Sequence, residues 1–390
     1  MANDMVTGGL AVSFVVGYSG PDVRSDVEIT VRSASKFSYE FRSNCSPLYD
    51  EAITTQIEAV ARQFGEPAFH FYCVDSGALP MTWSARLTAA FCLALGVPIP
   101  RAESQKQYVG TGLRRTRLYV PSNTPKLIPN VPLFRPDAVI LDLEESVHTD
   151  RKVEALAIAA SVCGAVDWSG IELMVRINPG AQGEIDVVTL AQSSVATYIV
   201  PKVDCPEDIL QITELLNDTG SSAKVIPLIE SALGVENSFA IATCSPRITA
   251  LSLGMEDYVA DIGATRTTDQ SESAYARSRV LNAARAAGVM PLASVFPRFH
   301  DPLEVETYAR TARLAGYEGI GCIHPNQIEA AHIGFLAEPE ELENARKVVQ
   351  AYVSAQMQGS GVVGVNGSMA DLPTYRRAQR LIELSKGGCD

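Results

Sequence analysis

From Arg114 onward the chain repeats a short apolar run followed by a stretch of helical periodicity, and it does so about eight times. The runs begin at Leu118 (LYV), Ala138 (AVILDLE), Glu172 (ELMVRIN), Thr197 (TYIVPKV), Lys224 (KVIPLIES), Ile248 (ITALSLGMED), Met290 (MPLASVF) and Gly319 (GIGCIHP). Apolar runs alternating with helices read as parallel strands. Eight such units predict a closed (β/α)8 TIM barrel of the α/β class. An open doubly wound sheet is the competing architecture, but no G-x-G-x-x-G follows any run, so a nucleotide-binding sheet has little support.

The 390 residues exceed what one core usually serves, and the first hundred carry a different pattern. Val27, Ile29 and Val31 alternate with polar neighbours, as do Phe37, Tyr39 and Phe41, which predicts two strands and a hairpin. Helical spacing over Leu48 to Phe64, a further alternation at Phe69, Phe71 and Cys73, and an apolar helix over Ala85 to Leu95 complete a small α+β domain. The expected division is therefore residues 1–100 for this domain, ending at Pro98 and Pro100, 101–113 for a polar linker, 114–345 for the barrel and 346–390 for a C-terminal helical segment. A helix is expected over Glu340 to Gln356, a flexible Gly/Val-rich stretch over Gly359 to Gly367, and a short basic helix over Thr374 to Ser385.

Thirty-two basic against 45 acidic side chains leave a net charge of −13, which disfavours nucleic acid and anionic membrane as partners. Any bound anion must meet a local basic cluster. The eight cysteines form no CxxC pair and have no histidine at zinc spacing, so reduced thiols and a cytoplasmic location are expected. The apolar run Leu10 to Val16 lacks a basic flank and is too short to span a bilayer.

A barrel concentrates function at the carboxyl ends of its strands. The polar residues there are Asp142, Glu144 and Glu145; Arg176 and Asn178; Lys202; Glu230; Glu256 and Asp257; and His324 with Asn326. Carboxylates converging from different strands repel one another unless a cation stands between them, and oxygen ligands alone select magnesium over zinc. The bland alternative makes these acids helix N-caps or partners of Arg176 and Lys202. Arg176 suits a carboxylate or a developing enolate oxygen, because its guanidinium stays charged and binds in a fork; the alternative is an ion pair with Glu144 or Glu145. The run Arg114, Arg115, Arg117, with Lys126, either meets phosphates or forms a solvated face. The five histidines have little motif context, His324 being expected to support the barrel rim, and no serine lies on a nucleophile elbow.

The segments LYVPSNTPKLI, ILDLEESV, VRIN, IVPKV, PLIESALGV, LGMEDYVADIGAT, CIHPNQI and NGSMADLPTYRRAQRLI, in this order between Arg114 and Ser385, resemble the citrate lyase β-subunit family. That family includes citramalyl-CoA, malyl-CoA and citryl-thioester lyases. The resemblance implies magnesium-dependent, reversible cleavage of a β-hydroxyacyl CoA thioester into an acetyl thioester and a 2-oxo acid. It implies that Glu230 and Asp257 hold Mg2+, that Arg176 binds the acid or stabilises the enolate, and that Tyr119, Lys126, Gly321 and Cys322 contact the substrate or its CoA portion. Asp371 matches the family's acid/base aspartate, supplied by a neighbouring subunit, so a homo-oligomer, often a trimer, is implied.

Arg24-Ser25-Asp26-Val27, Asp75-Ser76-Gly77-Ala78-Leu79 and Ser84-Ala85-Arg86 are similar to the citrate lyase γ-subunit, an acyl carrier protein, over Gly17 to Gly96. Arg24 stands where that family carries its arm on the first serine of Ser-Ser-Asp; Ser25 aligns with the second. In the barrel, Ala293 stands where the family often has an acid and Asn130 where it sometimes has a base. A magnesium-dependent aldolase acting on free aldehydes and a non-catalytic scaffold remain open beside the thioester lyase.

Overall fold

The computed structural model describes residues 13–103 and 112–385. The N-terminal domain contains β1 (Ser13–Val16), β2 (Val27–Ser33), β3 (Ser38–Ser43), α1 (Asp50–Gln63), β4 (Phe69–Asp75) and α2 (Pro80–Leu95). Its sheet runs in the order β1-β2-β4-β3. Val27, Ile29 and Val31 face inward with Phe71 and Cys73 and meet Ile53, Ile57, Val60 and Ala61 of α1. Phe91 of α2 lies 4.4 Å from Phe71 and 5.1 Å from Phe64 between ring centroids, which fixes both helices against one face of the sheet.

The expected hairpin does not form. β4 separates β2 from β3, pairing antiparallel with the first and parallel with the second. The reason lies in α1: a helix following β3 returns the chain to the same end of the sheet, so the next strand enters parallel to β3. The strand β1 pairs along β2 and was not anticipated from the apolar run that contains it. Residues 104–111 of the expected linker lie outside the described residues.

All eight apolar runs of the second region become strands: β5 (Thr116–Pro121), β6 (Ala138–Asp142), β7 (Glu172–Arg176), β8 (Thr197–Val200), β9 (Lys224–Ile229), β10 (Ala250–Leu253), β11 (Met290–Leu292) and β12 (Ile320–Cys322). They lie parallel in the order β11-β10-β9-β8-β7-β6-β5-β12. The ring closes just beyond β11, where Ala293 N donates to Gly319 O at 2.8 Å and Gly321 bridges Val295 in parallel. A (β/α)8 barrel results. Around it run α3 (Lys152–Ala165), α4 (Gly180–Leu190), α5 (Pro206–Asp218), α6 (Ala232–Thr243), α7 (Met255–Asp261), α8 (Ala274–Ala287), α9 (Pro302–Ala315) and α10 (Asn326–Phe335). Ala138, Ile140, Met174, Ile199, Ile226, Leu228, Ala250 and Leu292 fill the interior.

The remaining elements are α11 (Pro339–Met357), the short hairpin β13 (Val363–Val365) and β14 (Ser368–Ala370), and α12 (Leu372–Ser385). The Gly/Val-rich stretch is thus an ordered turn, with Asn366 and Gly367 both at positive φ between paired strands. The helix α11 runs through residue 345, so the expected domain edge falls inside a continuous helix.

One buried polar cluster joins the N-terminal domain to the barrel. Arg86 on α2, fully buried, donates from Nε and Nη2 to both oxygens of Asp26 at 2.9 Å. Its Nη1 reaches Asn123 Oδ1 at 2.6 Å, just past β5, and Glu154 Oε2 at 2.7 Å on α3. Glu154 also accepts from Gly17 N at 2.8 Å and from Arg151 at 2.6 Å. Replacing Arg86 with Met strands buried acceptors on both sides of the seam, and a loss of about 3–5 kcal/mol is expected. Urea unfolding of the full chain checks it; a change below about 1 kcal/mol, the scale of a surface pair, would show that the cluster does not hold the seam.

Candidate functional site

The carboxyl ends of the strands open into a cleft of about 450 Å3, lined by residues that include Tyr119, Asp142, Arg176, Glu230 and Asp257. Two clusters of charge share it.

The first is built on β6 and β7, whose register sets Asp142 beside Arg176. Arg176 Nε and Nη2 donate to the two Asp142 oxygens at 2.7 and 2.8 Å, and Nη1 lies 2.9 Å from Glu144. Burial disfavours both charges, yet the forked pairing outweighs it, holding the Asp142 carboxyl below its ordinary range and Arg176 firmly protonated. The guanidinium sits 5.3 Å from the centre of the Tyr119 ring. The sequence left open an ion pair with Glu144 or Glu145; the main partner is Asp142, with Glu145 at 3.6 Å and half exposed.

The second cluster stands on β9 and β10. Glu230 follows the last residue of β9, is 5% exposed, and accepts from Lys202 N at 2.6 Å. Burial raises its carboxyl pKa to about 8, and the neighbouring charges of Asp257 and Glu144 push the same way. Asp257 lies in the first turn of α7, half-buried. Gly254 makes room between them: a Cβ there would come within 2.5 Å of Glu230 Oε2.

A buried carboxyl that resists ionisation beside a second acid is a fit for a divalent cation, which reverses the sign of the local field. Among the described residues no three His, Cys, Asp or Glu side chains stand close enough to hold a metal together. Two carboxylates that leave other coordination positions to water and substrate oxygens match what magnesium takes, not the closed N/S set of structural zinc.

The structure brings Tyr119, Arg176, Glu230 and Asp257 to one cleft. Gly321, on β12, stands under the wall, where a Cβ would meet Val295 Cγ2 at 2.6 Å and Tyr119 Cε2 at 3.3 Å. Cys322 is fully buried in the core, its thiol pushed up to about 12 by burial, and does not line the cleft. Lys126 is exposed in the turn Pro125–Leu127, also outside the lining. Asp371 caps α12, accepting from Thr374 N at 3.1 Å, away from the cleft of its own chain. Asn178 turns to Asp186 at 2.8 Å, and the His324 ring stacks on Phe299 at 4.7 Å.

The basic run is neither a solvated face nor a phosphate patch: Arg114, Arg115 and Arg117 are all buried. Arg114 forks onto Glu172 and Arg115 onto Asp137 at the amino ends of the strands. Arg117 lines the cleft beside Ser252, a residue with no sequence motif of its own, and shares Tyr119's side of β5 by simple alternation.

A family model described as HpcH/HpaI aldolase/citrate lyase matches residues 115–325, and one described as malonate decarboxylase delta subunit matches residues 18–94. Citrate lyase subunit beta of Haemophilus influenzae is 32% identical over 285 residues, covering 71% of this chain and 98% of that protein. Mitochondrial citramalyl-CoA lyase of Mus musculus is 31% identical over 318 residues, covering 77% and 93%. Among solved structures, CitE of Mycobacterium tuberculosis in complex with magnesium, acetoacetate and coenzyme A superposes with a TM-score of 0.59 at 26% identity, covering 70% of this chain and 99% of that one.

Two measurements probe the acid pair. Because Glu230 keeps its proton up to about pH 8, a metal must displace it, so magnesium affinity should rise with pH and level off above about 8, with proton release at pH 7. Calorimetry in buffers of different ionisation enthalpy reads this; affinity independent of pH would contradict it. Gly254→Ala should displace the Glu230 carboxylate and weaken magnesium by about 10–100-fold, seen in the same titration.

Proposed function

Because the chain belongs to the HpcH/HpaI aldolase/citrate lyase family, we propose that it is a magnesium-dependent lyase that splits a β-hydroxyacyl-CoA thioester reversibly into an acetyl thioester and a 2-oxo acid. The observation that carries this is the pairing of buried Glu230 with Asp257 across the cleft from Arg176 and Tyr119. Glu230 and Asp257 would hold magnesium, which when bound supplies Lewis acidity to the oxygens of the 2-oxo acid.

Breaking the carbon–carbon bond leaves an electron pair that the thioester takes up as an enolate. A base accepts the hydroxyl proton as the new carbonyl forms. Arg176, kept charged by Asp142, offers its remaining N–H groups to the negative oxygen, where a preorganised donor contributes most. Its orientation is set before substrate arrives, since two of its bonds are already made. Asp371, once it has itself taken up a proton, delivers it to the enolate carbon and completes the acetyl thioester.

Asp371 lies between the C-terminal hairpin and α12, outside the cleft of its own chain, which supports donation into a neighbouring subunit of a homo-oligomer, a trimer in this reading. The acyl group travels on free coenzyme A. Arg24 replaces the first serine, and the N-terminal domain is clamped by Arg86, which supports a fixed docking role over that of a swinging carrier. No helix among the described residues is long and apolar enough to cross a membrane. A cytoplasmic site of action fits the free cysteines among those residues.

Asp371→Ala should abolish thioester cleavage while leaving magnesium binding intact, and Arg176→Ala should do the same. Oligomers mixed from the two inactive variants should regain activity, because one subunit then supplies the missing aspartate to another's intact cleft. Assay of malyl-, citramalyl- and citryl-CoA with magnesium measures both effects. Full turnover by the Asp371 variant, or no recovery on mixing, would refute the assignment.

A further inference from the structure

Four arginines are buried among the described residues: Arg86, Arg114, Arg115 and Arg117. The first three each bond to a carboxylate. Arg117 does not. It has no ion pair among the described residues although it is 1% exposed. Its Nη1 donates to Ser252 Oγ at 3.2 Å and its Nη2 to the Ala293 carbonyl at 2.7 Å, while Nε has no partner among the described residues.

The nearest ionisable neighbours do not neutralise it. Tyr119, Tyr308 and Cys322 are each pushed upward by burial, the last two to about 12, so all three are uncharged near neutral pH. A buried guanidinium left without an anion costs stability that a folded chain normally avoids. Such a group, lining a cleft and keeping one N–H without a partner among the described residues, calls for a counter-ion.

The place it occupies limits what that ion is. Arg117 pairs across β5 and β6 with Ala138 of the barrel interior and lies two residues below Tyr119, about 7 Å deeper along the strand. It lines the same cleft as Glu230 and Asp257, and the Tyr119 ring lies within electrostatic reach of both Arg117 and Glu230. The interior around it is mostly aliphatic, and the rim above carries Asp142, Glu145 and Glu256, which repel bulky polyanions. A small planar carboxylate fits this floor; a phosphate of the CoA portion does not.

We propose that Arg117, with Ser252, forms a carboxylate-binding subsite in the floor of the cleft, and that it selects substrates whose 2-oxo acid portion carries a second carboxylate. The subsite takes its substrate class from the lyase reading, but its selectivity for anions is a binding property measurable without turnover. Pairing through Nε and one Nη nitrogen gives the forked geometry that arginine offers carboxylates.

Calorimetric titration of the full chain at saturating magnesium, with oxaloacetate and with pyruvate, tests it. The dicarboxylate should bind at least tenfold tighter than the monocarboxylate. Arg117→Met should bring the ratio close to one, and Arg117→Lys should keep part of it. Equal affinities in the unaltered protein, or an unchanged ratio in the Met variant, overturn the proposal. Should the Met variant fail to fold, the ratio in the unaltered protein and the upward shift of its melting temperature with each acid decide alone. Selective binding with no cleavage of any thioester would sink the lyase reading and uphold the subsite. Thioester cleavage with no preference between citryl- and citramalyl-CoA, together with equal binding of the two acids, would sink only the subsite.

Discussion

A closed sheet must bring its first and last strands together, and here that meeting rests on one residue without a side chain. Gly321 on β12 lies against Val295 on one side and Tyr119 of β5 on the other, with no space for a methyl group. Its N–H bonds back to Ser294 and its carbonyl accepts from Phe296, which joins β11's extension to β12 and completes the ring. Ring closure fixes the position of Tyr119, and Tyr119 in turn supports Arg176 on its face while walling the cleft above Arg117. The polar residues at the strand ends converge because the ring is closed; in an open sheet they would fan apart.

Convergence has an electrostatic consequence. Asp142 and Arg176 satisfy one another, so both stay charged. Glu230 has only a backbone N–H and faces further acids, so its proton is retained to about pH 8. The same cleft therefore contains a matched pair that orients a donor and an unmatched acid that calls for a cation. Arg117 on the floor is the converse, a cation with no carboxylate partner among the described residues.

The barrel was legible because its signal is periodic: strands buried on both faces must be apolar throughout, and each of the eight runs stands out against the amphipathic helices between them. The helices α1 and α11 were legible for the same reason. What failed were features set by contacts between distant segments. The hairpin of β2 and β3 looked local, yet β4 intrudes between them because a helix intervenes. The Arg114–Arg117 run looked like surface charge, since nothing in a linear sequence shows that Glu172 and Asp137 wait beside it at the amino ends of the strands. Of the site residues, Tyr119, Arg176, Glu230 and Asp257 share the cleft, whereas Cys322 is sealed and Lys126 stands outside it. Strand alternation alone would have paired Arg117 with Tyr119, and motif reading passed over it because the motif begins one residue later.

The seam between the domains carries a further implication. Asp26, Arg86, Asn123 and Glu154 come from four separate segments, and each completes the hydrogen bonding of another. No member can change by itself without leaving a dry polar atom on the other side. Across descendants of this fused chain the four positions are thus bound to vary in concert, and a swap of the N-terminal domain between relatives will work only when its acceptors travel with the arginine they serve.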